Sequence, residues 1–154
     1  MRRASLWGIV VVLAAIGAAS VGCGAREESA GGASSAASGA AALPWESDLH
    51  KALAKAGGEK KLVMVDFYTD WCQWCRRMDQ KTFSDAHVQR ALGRVVSVKL
   101  NAEKDGRAAA ARYSVEGYPT IVFLNASGGE VGRIPGYLEP GPFLEELESI
   151  LKRA

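Results

Sequence analysis

Two cysteines three positions apart, Cys72 and Cys75, are the residues of this sequence best suited to covalent chemistry. The spacing lets two thiols close into a small disulfide ring and open again, as redox motifs do. A nearly continuous apolar run over residues 62–68 indicates a strand buried on both faces, and a helix is predicted to begin near Cys72. Unpaired N–H groups at a helix start favour a thiolate, so we predict that Cys72 is the reactive thiol and that Cys75 is more buried and less reactive.

The same pair of thiols could instead form half of a metal site. Zinc takes four ligands, and the other candidates in the chain are His50, His87 and Cys23. Neither histidine stands at a metal-ligand spacing from a cysteine, so the sequence favours disulfide exchange over the binding of zinc or copper. A domain that only binds a partner, without redox activity, is a third alternative. No metal site is expected.

Hydrophobic periodicity predicts that helices alternate with strands over most of the chain. The predicted helices cover residues 44–56 with a stop at Gly57-Gly58, 72–81, a segment that reaches 92 after a cap at Ser84 or Asp85, 106–113 and 142–152. The predicted strands cover residues 62–68, 95–100, 120–124 and 131–134. Alternation of strands and helices implies a parallel core, to which the last hairpin adds an antiparallel edge. We therefore predict an α/β fold with a central mixed sheet flanked by helices.

Motifs around the cysteines resemble those of the thioredoxin family. Val65-Asp66-Phe67 followed by Trp71-Cys72-x-x-Cys75 is similar to thioredoxin itself. Residues 75–85 and Gly117-Tyr118-Pro119-Thr120 are similar to the C-terminal domain of the thiol:disulfide interchange protein family DsbD. The resemblance covers about residues 60–150. It implies a thioredoxin fold that exchanges disulfides and needs no bound cofactor, because the Cys72–Cys75 disulfide is itself the redox-active group.

Two acids gain expected roles from this resemblance. Asp66 interrupts the apolar run, and a buried carboxylate is costly and often functional. In thioredoxins the matching acid helps proton transfer to and from the second cysteine; an acid at a strand end, open to water, is the alternative. Asp79 matches an acid of the DsbD domain thought to tune the same thiols, and otherwise it is an ordinary acid on a helix surface.

Four residues are predicted to contact substrates, three of them from their match to the family. Trp71 stands where the family shields its active site, although a core tryptophan is the alternative, and Trp74 is expected to be exposed. Pro119 stands where thioredoxins carry a cis-proline facing the disulfide, and its loop would expose the backbone of Tyr118 to an extended substrate strand. Gln73-Trp74 between the cysteines and Tyr118 before the proline depart from the family pattern. These departures leave substrate choice and redox potential open.

The start of the chain is typical of an export signal. Arg2 and Arg3 precede an apolar stretch over residues 6–19, which is the layout of a secretory signal peptide. Ser20-Val21-Gly22-Cys23 resembles a bacterial lipobox, so Cys23 is the predicted lipidation site. An uncleaved membrane anchor and a simple cleavage that discards Cys23 remain open alternatives. All three place the domain outside the cytoplasm, facing the periplasm or the cell exterior.

The predicted organisation has three parts. Residues 1–22 are a lipoprotein-type signal peptide. Residues 23–42, rich in Ala, Ser and Gly, have no apolar periodicity and are predicted to form a flexible tether. Residues 43–154 are the predicted thioredoxin-like domain, which is long enough for one hydrophobic core.

Charge and motif together set the expected partners. Beyond the signal peptide, basic and acidic residues balance at 17 each, so no electrostatic argument supports nucleic-acid binding. The expected partners are proteins with disulfides, a membrane electron donor of the DsbD type and the membrane itself, and the domain is expected to be a monomer. We expect a reductant, because Asp66, Asp70 and Asp79 would disfavour a thiolate. Arg76 and Arg77 would oppose this unless they point to solvent.

Overall fold

Four strands form one sheet in the computed structural model, which describes residues 43–154. The strands are β1 (Leu62–Tyr68), β2 (Val95–Asn101), β3 (Thr120–Leu124) and β4 (Glu130–Pro135), in the spatial order β2-β1-β3-β4. β1 and β2 are parallel, whereas β3 is antiparallel to both of its neighbours. The predicted mixed sheet is therefore confirmed, and the predicted strand bounds differ from these by at most one residue.

The direction of β3 corrects the prediction of a parallel core. Phe67 pairs with Thr120 and Val63 pairs with Leu124, so β3 runs against β1. A parallel β3 would require the link from β2 to return along the strands, a distance of about 23 Å for seven residues. The link instead contains one short helix, α4 (Arg107–Arg112), of 6 residues. Asn101 at the end of β2 pairs with Tyr68, and Thr120 at the start of β3 pairs with Phe67, so the chain enters β3 at the end of the sheet where it leaves β2.

Helices pack on both faces of the sheet. Besides α4 they are α1 (Leu49–Glu59), α2 (Gln73–Arg77), α3 (Ala86–Leu92) and α5 (Pro140–Arg153). The odd-numbered apolar residues of β1 join a buried cluster with α1 and α4, whereas Met64 joins a second cluster with α3 and α5. Because side chains alternate along a strand, Asp66 lies on the Met64 face of β1, towards α3 and α5.

The bounds of α1 differ from the prediction at both ends. The carboxylate of Asp48 accepts two backbone N–H groups and starts the helix after residue 44. The helix then continues through Gly57-Gly58, which were predicted to end it, and ends at Glu59, where the C-cap residue Lys60 is left-handed with φ 53°. Ala56 is fully buried in the core one turn earlier. Packing of this inner face outweighs the poor helix propensity of the two glycines.

The predicted helix over residues 72–81 is divided into two parts. α2 has 5 residues and continues into a π-helical turn over Met78–Thr82, where the N–H of Phe83 donates to the carbonyl oxygen of Met78 at 2.9 Å. The hydroxyl of Thr82 donates to the carbonyl oxygen of Leu138 at 2.5 Å. This contact with a distant segment ties down the wider turn, which residue periodicity could not reveal. Of the two candidate caps for α3, Asp85 is the one observed.

Within residues 43–154, no helix is both long enough and apolar enough to cross a membrane. The predicted signal peptide, the predicted tether and Cys23 lie outside the described residues. They therefore stay predictions.

Candidate active site

Cys72 and Cys75 are joined in a disulfide, with their Cα atoms 5.3 Å apart. Cys72 is the N-cap of α2, and its Sγ accepts a hydrogen bond from the backbone N–H of Cys75 at 3.0 Å. Both side chains are 3% exposed, so the expectation that Cys75 is the more buried is wrong. The sulfurs differ in position instead, because Cys72 stands at the helix start and Cys75 lies inside the helix.

A short turn connects this disulfide to the sheet. β1 ends at Tyr68, and the N–H of Cys72 donates to the carbonyl oxygen of the buried Thr69 at 3.2 Å. The N–H of Arg76 donates to the carbonyl oxygen of Cys72 at 3.3 Å and so begins the helix. The buried strand therefore delivers the cysteine pair directly to the end of the sheet, as the sequence predicted.

The loop before β3 lies at the same end of the sheet. The Tyr118–Pro119 peptide bond is cis, the geometry that the resemblance implies. Thr120 follows this bond and pairs with Phe67, close to the end of β1. The carbonyl oxygen of Pro119 accepts a hydrogen bond from the N–H of Gly136 at 2.8 Å, which connects the loop to the end of β4. The proline loop and the turn with the disulfide are therefore neighbours.

Asp66 is buried within β1, at 1% exposure, and is paired with a lysine of the adjacent strand. Nζ of Lys99 lies 3.2 Å from Oδ2 of Asp66, and the same amino group forms an ion pair with Asp79. The alternative in which Asp66 is open to water at a strand end is wrong. Lys99 brings together the two acids that the sequence had associated with the cysteines.

The carboxyl of Asp66 can exchange a proton near neutral pH. Burial raises the pKa of Asp66 to about 6, while the charge and hydrogen bond of Lys99 act to lower this pKa and Asp79 adds to the increase. Burial lowers the pKa of Lys99, but the two carboxylates outweigh burial and raise it. Oδ1 of Asp66 has no hydrogen-bond partner in the part of the chain that the structure describes. A general acid or base needs this combination of a pKa near ambient pH and a free oxygen.

Lys99 was not among the residues predicted from the sequence. Its Nζ lies 5.2 Å from the ring centroid of Tyr68, 5.3 Å from that of Trp45 and 5.8 Å from that of Phe83. Aromatic faces attract a cation and allow its apolar stem to be buried. The available signal was a lysine between two apolar residues of a predicted strand, Val98 and Leu100. The parallel register of β1 and β2 makes Lys99 the partner of Asp66.

Asp70 occupies a separate and more exposed position. Its Oδ2 lies 2.7 Å from Nζ of Lys104, and its Oδ1 accepts a hydrogen bond from Nδ2 of Asn101 at 2.8 Å. Each of the three acids predicted to surround the motif is thus paired with a lysine. Uncompensated negative charge is therefore a weaker argument for a low reduction potential than the sequence suggested.

Trp71 and Trp74 are the exposed large apolar side chains of the described residues, at 65% and 47% exposure. A core position for Trp71 is therefore wrong, and the expected exposure of Trp74 is confirmed. The rings of Trp71 and Tyr118 meet edge to face with centroids 6.0 Å apart, and Nε1 of Trp71 donates to both carboxylate oxygens of Glu103 at 3.1 Å. These rings give the cysteine pair an apolar rim that a partner protein can contact.

Residues 43–154 contain no group of three or more His, Cys, Asp or Glu side chains arranged to hold a metal ion. The geometry offers a disulfide at a helix start with an apolar surface beside it, and a buried carboxyl with a raised pKa in the strand that leads to it. As a dithiol such a pair can reduce the disulfide of a partner, and as a disulfide it can oxidise a partner's two thiols. This arrangement is the one that thiol:disulfide oxidoreductases have.

Comparisons with known proteins define the family more closely. The model of the thioredoxin-like domain family matches residues 49–151, so the chain belongs to the thioredoxin-like family. The thiol:disulfide interchange protein DsbD of Cronobacter sakazakii is 39% identical over 110 residues, which are 68% of this chain and 19% of that protein. The chain therefore spans about a fifth of the length of the curated relatives that it matches.

Solved structures have the same fold. A thioredoxin from Thermus thermophilus has a TM-score of 0.65 and 34% identity, over 72% of this chain and 88% of that one. The reduced C-terminal domain of DsbD from Neisseria meningitidis has a TM-score of 0.56 and 27% identity, over 66% and 92% of the two chains. The resemblance and the thioredoxin fold predicted from the sequence are both confirmed.

Proposed function

We propose that this domain reduces disulfides of proteins outside the cytoplasm, with Cys72 as the attacking thiol. The Cys72 thiolate attacks one sulfur of the substrate disulfide, and the other substrate sulfur leaves with the electron pair and takes up a proton. Cys75 then loses its proton and attacks Sγ of Cys72, which releases the second substrate thiol. The substrate gains two electrons and two protons, and the Cys72–Cys75 disulfide forms again.

Asp66 is the proposed acceptor of the Cys75 proton in this sequence of steps. Its pKa of about 6 and its free Oδ1 support that role, because proton transfer is efficient when the pKa lies near ambient pH. Lys99 acts as a positioning residue that holds the carboxyl through its ion pair. Asp79 acts one step further away, by holding Lys99.

The contacts of the two nearby arginines support the proposed direction of electron flow, because both side chains are bound to groups other than the cysteine sulfurs. The guanidinium of Arg76 donates to the carbonyl oxygen of Asp70 at 2.9 Å, and Arg77 lies over two aromatic rings. Among the described residues, the hydrogen bond to Sγ of Cys72 comes from a single N–H, that of Cys75. A thiolate with few stabilising partners favours the disulfide form, which corresponds to a low reduction potential and a reductant.

Four residues are proposed to contact the substrate around the disulfide. Trp71 and Trp74 supply the apolar rim, and an extended substrate segment would pair with the backbone of Tyr118 in the loop that Pro119 shapes. The exposure of the two tryptophans and the cis Tyr118–Pro119 bond at the start of β3 support this role. Contacts of this kind would orient a substrate disulfide towards Sγ of Cys72.

Equilibration with dithiol buffers of known potential tests the proposed direction. A reduction potential near that of thioredoxin, about −270 mV, is the expected result, and a value near that of DsbA, about −120 mV, would contradict it. Reduction of insulin, followed by its precipitation, tests exchange itself and separates the two questions. A chain that reduces no protein disulfide contradicts the proposed function whatever its potential.

The location and the electron donor form a further part of the proposal. Likeness to DsbD and the predicted signal peptide support a domain that faces the periplasm or the cell exterior and takes electrons from a membrane donor of the DsbD type. Cys23 is the proposed lipidation site. Cys23→Ala should move the protein out of the membrane fraction, whereas Cys72→Ala, as the matched control, should leave it there. Membrane retention of the Cys23 variant would favour an uncleaved anchor instead.

A further inference from the structure

Trp74, Arg77 and Tyr137 form a stack on the surface beside the disulfide. The rings of Trp74 and Tyr137 have centroids 5.5 Å apart and are inclined by 32°. The guanidinium carbon of Arg77 lies 5.7 Å from the Trp74 centroid and 5.3 Å from the Tyr137 centroid. These three residues are called the Trp74 stack below. The stack adjoins the reactive site, because Trp74 stands between the two cysteines in the chain.

Two contacts connect the stack to the remainder of the site. Glu139, the N-cap residue of α5, forms an ion pair with Arg77 at 3.4 Å. Gly136 precedes Tyr137 and donates its N–H to the carbonyl oxygen of Pro119, and its φ of 82° is a conformation that glycine adopts at little cost. The stack therefore joins α2, the segment after β4 and the proline loop into one surface.

Folding stability alone does not account for this arrangement. Trp74 leaves 47% of its surface in water, so much of its hydrophobic stabilisation is not realised. Arg77 and Glu139 are each about half exposed, and such an ion pair contributes little to stability. Their charges cancel, so the stack presents an aromatic face rather than a net charge. An aromatic ring already held in place binds a partner with a small loss of conformational entropy.

We propose that the Trp74 stack selects disulfide substrates that carry an aromatic side chain next to the reactive cysteine. This inference rests on the proposed reduction of protein disulfides and adds the substrate class. The substrate ring would pack on the exposed part of the Trp74 indole while its cysteine reaches Sγ of Cys72. Arg77 and Tyr137 are positioning residues that pack against the indole. Aromatic pairs of this kind correspond to a factor of roughly three to ten in affinity.

Exchange with two peptides tests the selection. Each peptide has one cysteine linked by a disulfide to glutathione, with Phe on both sides of the cysteine in one peptide and Ser in the other. The wild-type kcat/KM should be roughly three to ten times higher for the Phe peptide. Trp74→Ala should bring this ratio to about one. Arg77→Ala and Tyr137→Ala should lower the ratio in part, through a higher KM for the Phe peptide rather than a lower kcat.

Arg76→Ala is the matched control, because Arg76 has the same charge but bonds to the backbone of Asp70. It should keep the wild-type ratio. A Trp74→Ala protein that keeps the ratio, or that slows on both peptides equally, overturns the proposal, since Trp74 then supports the cysteines without selecting substrates. If the wild type exchanges both peptides at equal rates, the proposed selection is wrong and the proposed function still stands. If it exchanges neither peptide and does not reduce insulin, the proposed function fails.

Discussion

Lys99 and Asp66 face each other across the parallel strands β1 and β2, with Nζ 3.2 Å from Oδ2. Burial and Lys99 act on the pKa of the Asp66 carboxyl in opposite directions. Burial favours its neutral form and Lys99 favours its charged form, and burial is the larger effect, so the pKa rises to about 6. This balance places the pKa of a fully buried acid close to neutral pH.

The pH dependence of stability should reveal Asp66. Its pKa is raised from 3.8 in the unfolded chain to about 6 in the folded protein, so the folded state holds the proton more tightly. The stability that this proton provides is fully present below about pH 4 and is lost as the pH rises through about 6. Asp66→Asn should therefore be more stable than wild type at pH 8, by up to about 3 kcal/mol, and equally stable at pH 4. Urea unfolding of both oxidised proteins at the two pH values measures this. A stability difference that stays constant between pH 4 and pH 8 would argue against the raised pKa.

Removal of the amino group of Lys99 should raise the pKa of Asp66 further. Lys99→Met keeps the length of the side chain but removes both effects by which Lys99 favours the carboxylate. An increase of about one unit or more is expected for loss of a close opposite charge. NMR titration of the Asp66 carboxyl carbon reads this directly. Lys104→Met is the control, since Lys104 pairs with the exposed Asp70 and should leave the Asp66 titration unchanged. An unchanged or lower pKa in Lys99→Met would show that Lys99 does not stabilise the charge.

Trapping should separate the roles of the two cysteines. Cys75→Ala removes the thiol that resolves the mixed disulfide, so substrate should remain bound to Cys72. Cys72→Ala should form far fewer such adducts, because Cys75 lies inside α2 and lacks the helix-start position. Non-reducing gels followed by mass spectrometry of the adducts measure the difference. More adduct on Cys75 than on Cys72 would reverse the assignment of roles.

Gly106 should be a position where even a methyl group destabilises the fold. A Cβ added there would lie 2.8 Å from the carbonyl oxygen of Asn101 and 2.8 Å from Cβ of Leu100. Gly106→Ala should cost about 1–3 kcal/mol of unfolding free energy, because backbone must move. Gly58→Ala is the matched control: it lies in α1 with nothing within 4 Å of the added Cβ, and should be neutral or stabilising by up to about 1 kcal/mol. Thermal unfolding of both variants measures the difference in stability. Similar melting temperatures would argue against the close packing of Leu100 and Asn101 on Gly106.

The sequence by itself determined the reactive pair and the element that carries it. The apolar run before Cys72 is a local pattern of period and composition, and such patterns specify a buried strand followed by a helix start. A helix cap at Ser84 or Asp85 was predicted in the same way, since a cap depends on neighbours within a few residues, and Asp85 is the one observed. Asp66 could be singled out for the same reason, because it is an acid inside an apolar run of the sequence.

Only the tertiary structure decided which distant residues meet. Lys99 reaches Asp66 because β1 and β2 pair in one register, and a shift by one residue would turn Lys99 to the other face of the sheet. The partnership of Trp74 with Tyr137 depends on where β4 ends, far along the chain. The helix through Gly57-Gly58 follows from packing of its inner face, which outweighs local propensity. Contacts of this kind join residues through the fold, so no periodicity along the chain encodes them.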